Sequence, residues 1–141
     1  MISVAVLTAI GMALTPAPAA GKSEFELSVG GISAYGSYQM KQSTPEHPVP
    51  PIAVRGTLAV NSYSKCGVIQ LAKNGPADGI EWSTVTHLCR RGKTNFRTTS
   101  SFLWGGGRPQ LRLCTGATQL RAEQGRRCDV YAPPPYHGPV R

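Results

Sequence analysis

The sequence predicts an all-β fold, a small disulfide-stapled antiparallel β-sandwich, with a five-stranded barrel of the oligonucleotide-binding kind as the alternative. Three observations lead to this prediction. Helix signals are scarce, and 16 glycines and 12 prolines punctuate the chain. About seven short stretches between them are rich in Val, Ile, Thr, Tyr and Phe, as strands are. Four cysteines are enough for two crosslinks.

The chain begins with an uncharged apolar run at residues 2–14, followed by small residues at positions 16–20. This run is too short for a membrane span, which needs about 20 residues, and it suits a signal peptide cleaved after Ala19. We therefore predict that residues 1–19 are a signal peptide, that the protein is secreted, and that the mature chain lacks a transmembrane segment. No basic residue precedes Lys22, which leaves open a start upstream of Met1, and a buried first strand or helix is the alternative.

One domain is expected after cleavage, because the remaining chain suffices for a single hydrophobic core and is too short for two. Residues 20–51 contribute N-terminal strands and a proline-rich connection to this domain, and residues 52–131 form its disulfide-stapled core. Residues 132–141 are rich in proline, which cannot donate to a β-ladder, and are predicted to be a flexible tail.

Three strands are predicted before residue 62. Alternation marks Phe25–Val29, and Gly30-Gly31 separates it from a Ser/Tyr-rich strand at Ile32–Met40. Residues 43–51 are predicted to be an extended polyproline-like connection. The third strand, Ile52–Asn61, alternates most clearly: Ile52, Val54, Gly56, Leu58 and Val60 form the predicted core face, and Ala53, Arg55, Thr57 and Ala59 form the solvent face.

A hairpin is predicted from Cys66–Ala72 and Ile80–Cys89, which flank an Asn74-Gly75-Pro76 turn signal. Pairing Cys66 with Cys89 would place Gln70 opposite Val85 and Val68 opposite His87. A β-bulge, a bridge between two sheets and a direct cross-strand bond are all compatible with that pattern.

Three further strands are predicted in the C-terminal part: Thr94–Thr99, Gln110–Cys114 and Asp129–Tyr131. Alternation then points Arg97 and Arg112 outward. Residues 115–127 are predicted to be a loop closed by the last disulfide, with a helical turn around residues 119–124 as the alternative.

The four cysteines behind an export signal predict two disulfides and no free thiol. Pairing of chain neighbours gives Cys66 with Cys89 and Cys114 with Cys128, one of three possible connectivities. The alternative is a zinc site completed by His47, His87 or His137, but the chain has no Cys-x-x-Cys pair. No metal or cofactor is therefore predicted.

The cysteines and their neighbours also carry a resemblance to known proteins. The order Lys65-Cys66-Gly-Val-Ile, Trp82-Ser-Thr-Val, Cys89, Gly92-Lys-Thr-Asn-Phe96 and Leu113-Cys114 resembles small secreted β proteins of actinobacteria. The resemblance spans residues 52–131 loosely and contains no diagnostic motif. It implies no activity.

The net charge of +8 is concentrated in the second half of the chain. Residues 20–81 hold five basic and five acidic side chains, whereas residues 82–131 hold nine basic and two acidic ones. The positive electrostatic potential of such a basic region attracts anionic partners. The alternative is that the charge serves solubility alone.

A catalytic site is not predicted. Gly-x-Ser-x-Gly, His-Glu-x-x-His and phosphate-loop motifs are absent from the sequence. Glu24 and Glu26 share one strand face, but alternating glutamates at a strand edge usually form a solvated rim. His87 is interpreted as a surface histidine of a strand. The protein is therefore predicted not to be an enzyme.

Two segments are candidate binding sites. Residues 100–107 place Phe102 and Trp104 beside a glycine run, close in sequence to Arg97, Arg108 and Arg112. Aromatic rings with arginines are typical of binding hot spots, although core positions for both rings are the alternative. The second segment is Arg90-Arg91-Gly92-Lys93, predicted to be a solvated turn.

The leading prediction is a secreted, non-enzymatic binding module. Its basic C-terminal half would contact an anionic polysaccharide, a cell-wall polymer or an extracellular protein, with Trp104 at the centre of the contact. One alternative is an extracellular proteinase inhibitor that presents residues 45–51 or the Arg90–Lys93 turn as a stiff loop. The other is a secreted antimicrobial or competition toxin.

Overall fold

The computed structural model describes residues 21–42, 44–46, 51–74, 79–101 and 108–134. The strands are β1 (Lys22–Val29), β2 (Ile32–Met40), β3 (Ile52–Val60), β4 (Cys66–Ala72), β5 (Trp82–Leu88), β6 (Gly92–Ser100), β7 (Leu111–Gly116) and β8 (Cys128–Tyr131), with one helix, α1 (Gln119–Glu123). The described residues do not include the predicted signal peptide, Gly75 and Pro76 of the predicted turn, Phe102 or Trp104.

The strands form two antiparallel sheets that face each other. Sheet A has the order β1-β2-β3-β6 and sheet B the order β5-β4-β7-β8. The sandwich prediction is confirmed, and the barrel alternative is wrong, because the two four-stranded sheets do not join into a closed barrel. The β1–β2 hairpin turns at Gly30 and Gly31, whose φ angles of 55° and 79° suit a tight primed turn.

The core fills the space between the inner faces of the two sheets. On β3, Val54 and Leu58 are fully buried while Arg55 is exposed, as the predicted alternation requires. Ala59, predicted for the solvent face, is buried, because a methyl group on the outer face is small enough to be covered by its neighbours. The buried Tyr38 hydroxyl donates to the carbonyl oxygen of Pro109 at 2.9 Å, and burial raises the pKa of Tyr38 well above its ordinary value. The ring of Tyr131 lies 5.8 Å from that of Tyr38, which ties β8 to β2 across the core.

A pair of glycines allows β2 and β3 to approach closely at the centre of sheet A. Gly36 and Gly56 are register partners, and a Cβ on Gly36 would meet the carbonyl oxygen of Arg55. The rings of Phe25 and Phe96 flank the pair on the core side, each with its Cζ atom 3.0 Å from a Cβ built on Gly56. The aromatic rings thus cover backbone that has no side chain of its own.

Both predicted disulfides are confirmed, and each links adjacent strands of sheet B. The Cα atoms of Cys66 and Cys89 are 4.0 Å apart, and those of Cys114 and Cys128 are 4.1 Å apart. The bond between Cys66 and Cys89 is the direct cross-strand kind, and a β-bulge follows it at Ile69/Gln70. Val68 therefore lies opposite His87 as predicted, but Gln70 lies opposite Thr84.

The loop preferred for residues 115–127 is wrong, and the helical alternative is right. Helix α1 is capped by Thr118, whose Oγ1 accepts from the backbone N–H of Arg121 at 3.2 Å. Ala122 is fully buried against Val68 and the Cys114–Cys128 disulfide. This packing stabilises a helix of five residues, which is too short to be stable alone.

None of the helices in the described ranges is long and apolar enough to cross a membrane.

Candidate binding surface

The outer face of sheet A carries a pair of arginines that no acidic side chain of the described residues neutralises. Arg55 on β3 and Arg97 on β6 are direct register partners, and both are exposed. Lys93 lies four residues before Arg97 on the same face of β6. The other outward residues of these two strands are uncharged: Ala53, Thr57, Ala59, Asn95 and Thr99. Like charges directly opposite on neighbouring strands destabilise a sheet. An anionic ligand would relieve that repulsion.

Carboxylates on this face are confined to the far edge of the sheet. Glu24 and Glu26 project from β1, and β2 separates them from Arg55. Two strand spacings place the backbone of Glu24 about 10 Å from that of Arg55. Between the residues that the structure describes, the only ion pair within 4.0 Å joins Lys22 and Glu24, at 3.9 Å. Within the described ranges, neither Arg55 nor Arg97 is therefore paired with an acid.

An open depression of about 550 Å³ lies over the Gly36–Gly56 pair and contains both arginines in its lining. Tyr35 also lines it, with 44% of its surface exposed. On the β3–β6 side, Thr57 Oγ1 donates to Asn95 Oδ1 at 2.9 Å, so the amide nitrogen of Asn95 remains as a donor. The depression therefore offers an aromatic ring, hydrogen-bond donors and two guanidinium groups.

A second group of basic residues gathers at one end of the sandwich, termed the basic end. This end holds the β1–β2 turn, residues 61–65 and residues 89–91. Its basic residues are Lys65, Arg90, Arg91, Lys93 and Arg127. The turn predicted at Arg90–Lys93 ends earlier than predicted, because strand β6 begins at Gly92 and includes Lys93. Arg91 lies 5.3 Å over the ring of Tyr63, which is 82% exposed, and donates to its hydroxyl at 2.7 Å.

Arg112 points to the outer face of sheet B, as alternation predicted, but helix α1 and Trp82 cover it. Its guanidinium lies 4.1 Å over the Trp82 ring, and its Nε donates to Oε1 of Gln70 at 2.8 Å. Nη2 donates to the carbonyl oxygen of Glu123 at the end of α1, at 3.5 Å. Burial lowers the pKa of the guanidinium, although an arginine still stays charged at neutral pH. Arg112 is therefore a structural residue.

The arginines predicted to surround Trp104 do not gather in one place. Arg97 lies on the outer face of sheet A and Arg112 on that of sheet B, so the sandwich separates them. Arg108 is half-buried just before β7, close enough to Tyr38 for its charge to oppose the rise in that residue's pKa. The participation of Phe102 and Trp104 in binding stays a prediction.

Loss of the Arg112 side chain is expected to destabilise the fold. Arg112→Met would remove the cation over Trp82 and leave the buried amide of Gln70 without its charged partner, at a cost of about 2–3 kcal/mol. Urea unfolding measures this difference. Arg121→Gln is the matched control, because Arg121 is exposed on α1 and should change stability by less than about 0.5 kcal/mol. Equal stabilities of the two variants would contradict the structural role.

Comparisons with protein-family models, with curated proteins and with solved structures found no match to this chain. The chemistry of the outer face of sheet A and of the basic end is therefore the basis for assigning a function.

Proposed function

We propose that the protein is a secreted binding module that contacts an anionic polysaccharide through the outer face of sheet A. The observation that carries this proposal is the Arg55–Arg97 pair, for which the described part of the chain supplies no neutralising carboxylate. Guanidinium groups bind carboxylate and sulfate oxygens through two parallel hydrogen bonds, which an ammonium group cannot do. Two arginines side by side on a rigid sheet suit a ligand with closely spaced negative charges.

The other residues of the depression favour a polysaccharide over a nucleic acid or a polyphosphate. The exposed Tyr35 ring offers an apolar face to a sugar ring, and the Asn95 amide offers a donor to its oxygens. Glu24 lines the same depression, and its carboxylate can accept hydrogen bonds from sugar hydroxyls. A polyphosphate has neither an apolar ring face to pack on Tyr35 nor hydroxyl groups to donate to Glu24.

Secretion is supported by two features. All four cysteines are oxidised in two disulfides, which persist in oxidising compartments and are rare in the cytosol. The apolar run at residues 2–14 has the length of a signal-peptide core. Polysaccharides with uronate or sulfate groups are ligands that an exported protein would meet outside the cell.

The double variant Arg55→Gln/Arg97→Gln is expected to lose binding to heparin and polygalacturonate. Affinity measured by titration calorimetry at fixed salt should fall by about tenfold or more, because two charge-assisted contacts are removed. The dependence of affinity on salt should become shallower, since fewer counterions are released on binding. The stability of this variant in urea should stay the same or rise, because a like-charge pair has been removed.

The matched control is Arg121→Gln/Arg126→Gln, which changes the net charge equally but alters exposed residues in α1 and just after it, on the side of sheet B. This control should bind both polysaccharides like the parent protein. Tyr35→Ala should weaken binding of both polysaccharides while leaving binding of a long polyphosphate unchanged. The proposal is wrong if the two double variants bind equally, or if polyphosphate binds more tightly than either polysaccharide.

A further inference from the structure

A second depression lies on the outer face of sheet A, on the other side of the Arg55–Arg97 pair from Tyr35. Its volume is about 410 Å³, and its lining includes Ser37, Arg55 and Arg97. The same three residues line the first depression, which contains Tyr35. They form one row across three strands, termed the arginine row, because Ser37 is the register partner of Arg55 and Arg55 is that of Arg97. The two depressions therefore meet at the arginine row.

The second depression offers polar groups and a cation. Gln39, Ala53 and Thr99 form the next row of outward residues, and Lys41 lines the depression beyond them. Gln39, Thr99 and Lys41 are exposed, so an amide, a hydroxyl and an ammonium group are available to a ligand. None of the described residues that line this depression is acidic, whereas Glu24 lines the first. A negatively charged substituent therefore meets no like charge among them.

The cations of this face are spaced along the direction of the strands. Lys41 is four residues after Ser37, which places its backbone about 13 Å from the arginine row. Its backbone N–H donates to the carbonyl oxygen of Pro51 at 2.8 Å, which keeps Lys41 beside β3 just past the end of β2. Lys93 lies four residues before Arg97, at a similar separation on the Tyr35 side. This spacing suits successive charges of a chain better than a single anion.

We propose that the ligand is a linear acidic polysaccharide that lies along the strands of sheet A and crosses the arginine row, with sugar units in both depressions. The inference rests on the function proposed above and adds the direction of the chain and a second subsite. Carboxylate or sulfate groups of successive units would bind the arginine pair and Lys41 in turn. Hydroxyl groups of the unit between them would bind Gln39 or Thr99. The site then holds an internal stretch of a chain.

A third depression provides another path, around the β6 edge of sheet A. Its volume is about 380 Å³, and it is lined by residues of β5 and β6 and by Lys73. The described residues of its lining include Arg97 but not Arg55, so a chain on this path would keep only one arginine of the pair. The path towards Lys41 keeps both. Lys41 and Lys73 are exposed, and each lines a depression that contains Arg97, which makes them a matched pair for the test.

Lys41→Gln is expected to weaken binding of long acidic chains selectively. Hexagalacturonate should bind this variant about three- to tenfold more weakly than the parent protein at fixed salt, because one charge contact is lost. Digalacturonate should bind both proteins alike, since the first depression adds the Tyr35 ring to the arginine pair. The ratio of the two affinities corrects for the larger number of ways in which a long chain docks. Lys73→Gln should keep the parent ratio.

Amide NMR titrations measure these affinities and locate each ligand. Resonances of Gln39 and Thr99 should shift with hexagalacturonate and reach saturation, and they should respond much less to digalacturonate. Resonances of Tyr35 and Asn95 should shift with both ligands. The Arg55→Gln/Arg97→Gln variant tests the arginine site itself, because it should lose binding of both lengths.

The outcomes separate this inference from the function on which it rests. If Arg55→Gln/Arg97→Gln loses binding but the affinity ratio in Lys41→Gln equals that of the parent protein, the second subsite is wrong and the arginine site stands. A ratio that falls in Lys73→Gln instead would mean that the chain passes around the β6 edge, which also overturns the proposed direction. Parent-like binding by the double arginine variant would refute the polysaccharide site as a whole.

Discussion

Reduction of both disulfides is expected to unfold the protein under conditions in which the oxidised form is stable. Cys66 and Cys89 are 23 residues apart in sequence, and Cys114 and Cys128 are 14 residues apart. Each crosslink restricts the unfolded chain and stabilises the fold by about 3 kcal/mol in the chain-entropy model. Two such contributions are comparable to the whole stability of a small domain, about 5–15 kcal/mol.

Thermal unfolding followed by circular dichroism, with and without a phosphine reductant, measures this effect. The paired variants Cys66→Ala/Cys89→Ala and Cys114→Ala/Cys128→Ala should each lose about 3 kcal/mol in urea. A variant with all four cysteines replaced by alanine is the control for the reductant, and its Tm should not respond to it. An unchanged Tm of the parent protein in excess reductant would refute the prediction.

The strands and disulfides could be predicted because their signals are local. A residue pattern of period two needs no knowledge of neighbouring strands, as the Ile52–Val60 strand shows. The Cys66–Cys89 pair lies within one hairpin, so its register followed from the two flanking sequences. The poor match of Gln70 with Val85 in that register left a bulge as one of three alternatives, and the structure contains a bulge at Ile69/Gln70.

The grouping of arginines could not be predicted, because it depends on which strands share a sheet. Counting charges along the sequence placed Arg55 in the half without net charge. The binding surface was therefore predicted in the second half of the chain. Pairing of β3 with β6 across 42 positions brings Arg55 beside Arg97, and no local pattern encodes that pairing. The available signal was the solvent face predicted for β3, on which Arg55 is the one charged residue.

The role of Arg112 was missed for a related reason. Alternation identifies the outer face of a strand but does not tell whether another element covers that face. Here α1, which lies in the segment predicted to be a loop, packs on sheet B and supplies the Glu123 carbonyl that accepts from Arg112. Thr118 caps α1, but a helix this short depends on the burial of Ala122 for its stability, and that burial is not visible in the local sequence.

The close approach of β2 and β3 predicts that Gly36→Ala is severely destabilising. A Cβ at Gly36 would collide with the Arg55 carbonyl oxygen and would lie 2.5 Å from the Cα of Gly56. Both are backbone atoms in the middle of a sheet, so neither can move without breaking the β2–β3 ladder. The expected loss is about 3 kcal/mol, at the upper end of the range for overpacking.

Gly21→Ala is the matched control, because no atom lies within 4 Å of a Cβ at Gly21 and its φ is not positive. Urea unfolding should therefore separate the two alanine variants by most of that 3 kcal/mol estimate. Any Gly36→Ala protein that folds should also bind anionic polysaccharide more weakly, since the same glycine lines the depression between Tyr35 and Arg55. Equal unfolding midpoints for both variants would mean that β2 and β3 lie farther apart at Gly36. The close pair of strands that forms the bottom of the depression would then be absent.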